Sequence, residues 1–199
     1  MTITDLDQHA ETEPPHGKLA HLTAECLASK GLRVSELDSS EPHGATLVIP
    51  LRGARCRLFV TDDADVELDW TPLDADTKDP LRVADHVAGL LSADPAVRDP
   101  NAATPSSSIH FKGVVGRDLE ARGFHVELNI YRDEAFFDVT VDIEVTEFDG
   151  AETGKAYVDD DGSFIWLADF WDEDVPVPEM ARAIAGTVAR AGFPPASAG

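Results

Sequence analysis

FVTDDADVELDW, Phe59 to Trp70, and YVDDDGSFIWLA, Tyr157 to Ala168, are two versions of one pattern. Each enters a run of aspartates from one strand-like segment and leaves it into another. Asp161-Gly162 between two β-rich runs is a strong short-range hairpin signal. The first version carries DDAD at the same place, with weaker turn chemistry and the same polarity.

Matches on either side extend the likeness in the same order. LASKGLRV (27–34) resembles LEARGFHV (119–126), and VADHVAGLL (83–91) resembles MARAIAGTV (180–188). Three matches in one order, at spacings that differ by a few loop residues, predict an internal duplication.

Each unit reads the same way. Leu19, Leu22, Cys26 and Leu27 fall on one helical stripe, and Gly31 is placed to end that helix with a positive φ. Phe111, Val114, Val115 and Leu119 form the equivalent stripe, with Gly123 as the stop. Strands follow. Phe124, Val126, Leu128 and Ile130 alternate with His125, Glu127 and Asn129. Phe137, Val139, Val141, Ile143 and Val145 alternate with Asp138, Thr140, Asp142 and Glu144. Such period-2 alternation predicts strands with one dry and one wet face. Asp79-Pro80 supplies an N-cap and a first-turn proline for a closing helix lined by Leu81, Ala84, Val87, Leu90 and Leu91. Pro178 opens its counterpart, lined by Met180, Ile184 and Val188.

The expected fold class is therefore α+β: two tandem αββββα repeats, each an antiparallel meander with its helices on one face, a two-layer sandwich. The expected organisation is an unstructured lead at 1–16, a first repeat at 17–92, a Pro/Ala/Ser-rich linker at 93–107, a second repeat at 108–192 and an unstructured tail at 193–199.

A helix ending in GLRV or GFHV, an acidic meander with a DDG-type hairpin and a further helix together resemble uncharacterised small actinobacterial proteins. More distantly, the pattern is similar to the YbjN-type and type III secretion chaperone-like α+β families. The resemblance implies protein binding or chaperoning without catalysis. The secretion chaperones insert a helix among their strands, which this pattern lacks.

Composition narrows the function classes. The 199 residues include 38 acidic and 16 basic side chains, a net charge of −22, with 43% hydrophobic residues. That is enough apolar material for a core. The acid is spread over both halves, which favours solubility and opposes nucleic acid and anionic membrane as partners. The N-terminal stretch MTITDLDQHAETEPP lacks an apolar signal core, and no run reaches the roughly 20 apolar residues of a membrane span. A cytoplasmic location with reduced thiols is the expectation.

Chemistry-bearing motifs are sparse. An EF-hand loop begun at Asp159 puts Phe164 at the glycine position and Phe170 at the glutamate position. One begun at Asp62 puts Glu67 at the glycine position. The two cysteines, Cys26 and Cys56, form no CxxC pair, and the histidines have no ligand spacing. Cys26 reads as a small core hydrophobe; Cys56, between Arg55 and Arg57, could have a lowered pKa. His125, Glu127, Asp138, Asp142 and Glu144 line one wet face and read as a solvated surface, with a carboxylate metal site as the competing reading. GxSxG, SxxK, HExxH and P-loop motifs are absent from the sequence. No catalytic residue, metal site or cofactor is expected.

One asymmetry points to a contact. Glu67 and Asp69 occupy the wet face of the first unit, whereas the second places Ile165 and Leu167 there, with Trp171 in the same parity. An apolar patch of this kind calls for a cover. The other unit or the tail is one candidate cover, and a protein partner or a homodimer the other. Ile165, Leu167 and Trp171 are the candidate contact residues. The function expected is a non-enzymatic interaction module of chaperone, adaptor or immunity-like type. The alternatives are an acidic mimic of a polyanion occupying a basic site and a metal-assisted hydrolase using the sheet carboxylates.

Overall fold

The computed structural model describes residues 17–40, 43–75, 77–92, 111–133, 138–146, 154–159 and 161–196, with the backbone alone over 128–133 and 138–146. The segment 1–16 and the linker 93–107 lie outside the described residues.

The elements run α1 (Lys18–Ser29), β1 (Glu36–Asp38), β2 (Gly44–Leu51), β3 (Ala54–Thr61), β4 (Asp65–Pro72), α2 (Pro80–Leu91), α3 (Phe111–Ala121), β5 (His125–Asp133), β6 (Asp138–Thr146), β7 (Lys155–Val158), β8 (Phe164–Asp169) and α4 (Val177–Arg190). The class is α+β with an antiparallel sheet. Local chemistry sets the ends of the helices. The amide of Leu32 donates to Leu27 and that of Gly31 to Ala28; the amide of Phe124 donates to Leu119 and that of Gly123 to Glu120. Both are the paired closing bonds of a Schellman motif, which the positive φ of Gly31 (86°) and Gly123 (91°) permits. Asp79 caps α2 by accepting from the Leu81 amide at 3.0 Å.

The strands form one eight-stranded sheet in the order β1-β2-β3-β4-β8-β7-β6-β5, and every neighbouring pair is antiparallel. The sequence pattern gives each half its own meander and leaves open whether the halves pack together; the structure joins them into one sheet at β4 and β8. The register has an internal regularity. Thr46 pairs with Phe59 and Phe59 with Glu67, while Glu144 pairs with Tyr157 and Tyr157 with Ile165. Each residue of the second trio is 98 positions after its counterpart in the first (144 − 46, 157 − 59, 165 − 67). At the seam Leu68 pairs directly with Trp166, also 98 positions on (166 − 68).

The helices share one face and pack in the order α1-α4-α2-α3. Helices α1 and α3 cover strands of their own halves, but α2 reaches β7 and α4 lies beside α1. Each closing helix thus crosses to the other half, where the sequence pattern placed it over its own. The cause is the seam. Strands β4 and β8 are central, so the chain leaving either one emerges at the middle of the sheet. Helix α2 then has neighbours on both flanks. Val83, Ala84 and the run from His86 to Leu91 are all buried, a wider band than the stripe read from the sequence.

The core lies between sheet and helices. Leu47, Leu58, Leu68, Trp166 and Ala156 form one buried row across the strands; Ile49, Cys56, Trp70, Phe164 and Val158 form the next. Trp70 stacks on Phe164 with ring centroids 5.2 Å apart, across the seam. The indole N–H groups of Trp70 and Trp166 are buried without a hydrogen-bond partner, a cost of about 1–3 kcal/mol each that this packing must outweigh. The tail is a second correction. Phe193 is buried, the Arg52 amide donates to Pro194 and the Ala196 amide to Pro50, so residues 193–196 are tied to the β2–β3 hairpin. A buried aromatic ring holds what composition alone reads as loose chain.

Gly89 allows the crossing of α2 and α4. A Cβ there would lie 2.5 Å from the Arg190 carbonyl oxygen and 2.9 Å from the Ala191 Cα. By helix propensity alone, Gly89→Ala would stabilise by about 1 kcal/mol. We expect the reverse, a loss of about 2 kcal/mol, because backbone must move to admit the methyl. Urea unfolding of the two proteins decides the sign.

Candidate functional site

The face of the sheet away from the helices carries the predicted contact residues. Ile165 and Leu167 are 41% and 37% exposed, at the centre of the sheet. They sit on β8 because Phe164, Trp166 and Ala168 take the alternate, core-facing positions. No described residue covers them, so neither the other half nor residues 193–196 act as the lid that the sequence allowed for. Cross-strand pairing places them directly beside the two carboxylates that hold the equivalent positions on β4: Asp69 opposite Ile165 and Glu67 opposite Leu167. On the other side, Tyr157 flanks Ile165 and Lys155 flanks Leu167. Phe59, half-buried, lies beyond Glu67 and Arg57 beyond Asp69.

Two rows therefore cross this face. One reads Val48, Arg57, Asp69, Ile165, Tyr157; the other reads Thr46, Phe59, Glu67, Leu167, Lys155. Aliphatic and aromatic side chains alternate with charges of both signs. Trp171 is 56% exposed, but it stands beyond the end of β8, its amide held by the Asp169 carboxylate at 2.7 Å. Strand alternation no longer fixes its face there.

The acidic turns serve the backbone. Partial burial is the largest single influence on Asp161 and pushes its carboxyl up, but the bonds it accepts from the Ser163 hydroxyl and amide, with the charge of Lys78, together hold it below the usual range. The Gly162 amide donates to Asp159 to close the turn between β7 and β8. Asp62 accepts from the Gly17 amide at 2.9 Å, tying the start of α1 to the opposite hairpin. Among the described residues no group of three His, Cys, Asp or Glu side chains is arranged to hold a metal ion. His125 reaches Glu127 at 2.7 Å, an exposed pair within one strand. The side chains of Asp138, Asp142 and Glu144 lie outside what the structure describes. Cys56 is fully buried, and burial followed by the nearby charge of Asp69 raises its thiol far above the ordinary value, so the flanking arginines do not activate it. Cys26 is half-buried at the margin of the α1 stripe, whose centre is Leu19, Ala20, Thr23 and Leu27.

The helical layer holds a feature that the sequence patterns did not single out. A cavity of about 400 Å³ opens between α2 and α4, and its lining includes Arg82, Asp85, His86, Arg190 and Ala191. His86 is buried between Trp70 and Phe193, at centroid distances of 5.5 and 4.9 Å. Its Nδ1 donates to the Ala191 carbonyl at 2.6 Å, which fixes the tautomer and leaves Nε2 as an acceptor. Arg122 bridges Asp85 and Asp118, linking α2 to α3. A helical stripe that includes one histidine looks like core in sequence; only the crossing of α2 and α4 brings Arg190 to it.

Comparison with known proteins found no matching family model, no matching curated protein and no matching solved structure. No helix among the described residues is long and apolar enough to cross a membrane.

Burial is the main influence on His86 and lowers its pKa; the Ala191 hydrogen bond and Asp85 act against that, and Arg82 with it. An unfolded imidazole therefore takes up a proton at a pH where the folded one resists. The stability contributed by neutral His86 is present above about pH 6.5 and is lost as pH falls towards the depressed folded value. We expect the gap in urea midpoint between the wild-type protein and His86→Gln to narrow from about pH 7.5 to about pH 5. A gap that stays constant would contradict this account of the ring.

Proposed function

We propose that this chain is a non-catalytic protein-interaction module, and that the helix-free face of its sheet receives the partner. One observation carries the reading: Ile165 and Leu167 stand part-exposed at the middle of an eight-stranded sheet whose four helices are all on the other side. Exposed aliphatics are ordinary singly, but here Tyr157 extends them onto the adjacent strand β7, and Phe59 stands on β3 beyond Glu67. Glu67, Asp69 and Asp169 border the patch, and the whole chain carries −22. The partner this chemistry fits is a protein segment that presents apolar side chains flanked by lysine or arginine.

The same proposal takes the two halves as products of one duplicated αββββα unit. The constant 98-residue offset in the register supports this, as does the direct pairing of Leu68 with Trp166. On that view the β4 positions kept their carboxylates, whereas the equivalent β8 positions exchanged theirs for aliphatics. One half of a symmetric platform thereby acquired a contact surface.

The high negative charge also favours a second reading, occupation of a basic site by electrostatics alone. Salt separates the two, since exposed charges are screened beyond about 8 Å at physiological ionic strength and apolar contact is not. The double variant Ile165→Glu/Leu167→Glu restores the residue type that β4 carries. We expect its unfolding free energy to stay within about 1 kcal/mol of wild type, because both positions face solvent. Capture of partners from native cell extract, or self-association in sedimentation, should be lost at low and high salt alike. An unchanged capture profile together with an unchanged oligomeric state overturns the reading. Binding that persists in the variant but disappears at high salt favours the electrostatic one.

A further inference from the structure

We propose that the cavity between α2 and α4 is a binding site for a small phosphate monoester, separate from the sheet face. Three groups of complementary chemistry line it. Arg82 and His86 are one helical turn apart on α2, and Arg190 is the last residue of α4. Arg82 makes no ion pair with a described residue, and Arg190 bonds only the Thr187 hydroxyl, at 3.0 Å. In a chain with 38 acidic and 16 basic residues, two guanidiniums on one cavity that are not ion-paired with a described carboxylate mark a place where negative charge is wanted. The carboxylate that does line the cavity, Asp85, is ion-paired with Arg122.

His86 narrows the class of anion. Its Nδ1 hydrogen is committed to Ala191, so Nε2 offers a lone pair, and no described residue donates to it. A group that fits is both anionic and a donor. A phosphate monoester holds its second proton with a pKa near 6, so around that pH it presents anionic oxygens to the arginines and a P–OH to Nε2. A fully ionised sulfate provides the charge without the donor. The cavity, at about 400 Å³, has room for an organic substituent, and Ala191, Gly192 and Pro194 give it a largely apolar wall.

The test is calorimetric titration of the full chain at about pH 6 with glycerol 3-phosphate, inorganic phosphate and sulfate, alongside the nitrogen resonances of the His86 ring. The expected result is saturable binding of both phosphates, weaker binding of sulfate, and a shift of the Nε2 resonance on titration. Arg82→Gln and Arg190→Gln should each weaken phosphate binding by about tenfold, the scale of one charge-assisted hydrogen bond. Arg182→Gln, on the exposed side of α4 beside Glu179, should leave binding unchanged. The proposal is overturned by no saturation up to about 10 mM phosphate, by equal weakening in Arg182→Gln, by sulfate binding as well as phosphate, or by an unmoved Nε2 resonance. These readouts do not involve Ile165 or Leu167, so their failure leaves the sheet-face reading standing, and the converse also holds.

Discussion

Six residues of β4, Asp65–Trp70, pair with six of β8, Phe164–Asp169, and the remaining architecture is arranged around that seam. Without it, each half would expose a long central-type strand as a sheet edge, with unpaired amides and carbonyls open to any passing strand. With it, the apolar rows of the two halves run into each other. Leu68 meets Trp166 and Trp70 stacks on Phe164, so the largest buried side chains among the described residues gather on one line. The two unpartnered indole N–H groups lie in this same packing, which indicates that shape and apolar contact prevailed there over hydrogen-bond satisfaction.

The seam also decides where the helices go. A chain that leaves the centre of a sheet finds the neighbouring half within reach, and α2 and α4 each pack there. Their crossing is close enough to require glycine at position 89, and it brings Arg190 and Ala191 up to His86. The cavity is therefore a consequence of strand pairing some distance away on the other layer. Anchoring of Pro194 and Ala196 to the β2–β3 hairpin follows from the same exchange, since α4 ends over the first half.

On the opposite face the seam has a different effect. It sets Glu67 beside Leu167 and Asp69 beside Ile165, so carboxylates of one half and aliphatics of the other become direct neighbours. The resulting surface is amphipathic at the scale of single residues. Carboxylates and aliphatics thus share one solvent-facing surface at the middle of the sheet.

Much of this was legible in the sequence. Period-2 runs gave the strands, Gly31, Gly123 and Asp79 marked helix ends, Asp161-Gly162 marked a turn, and the change from Glu67 and Asp69 to Ile165 and Leu167 marked the face. All of these are local: they depend on backbone conformation and on which side of one strand or helix a residue occupies. What the sequence by itself determined is thus the elements and their wet and dry sides. The tertiary structure alone decided that the two sheets become one, that the closing helices trade places, that Phe193 holds the tail and that Arg82, His86 and Arg190 line a common cavity. Those outcomes depend on which strand edges meet. Edge pairing is made by backbone groups that are alike in every residue but proline, so it leaves no mark in the sequence pattern of either strand.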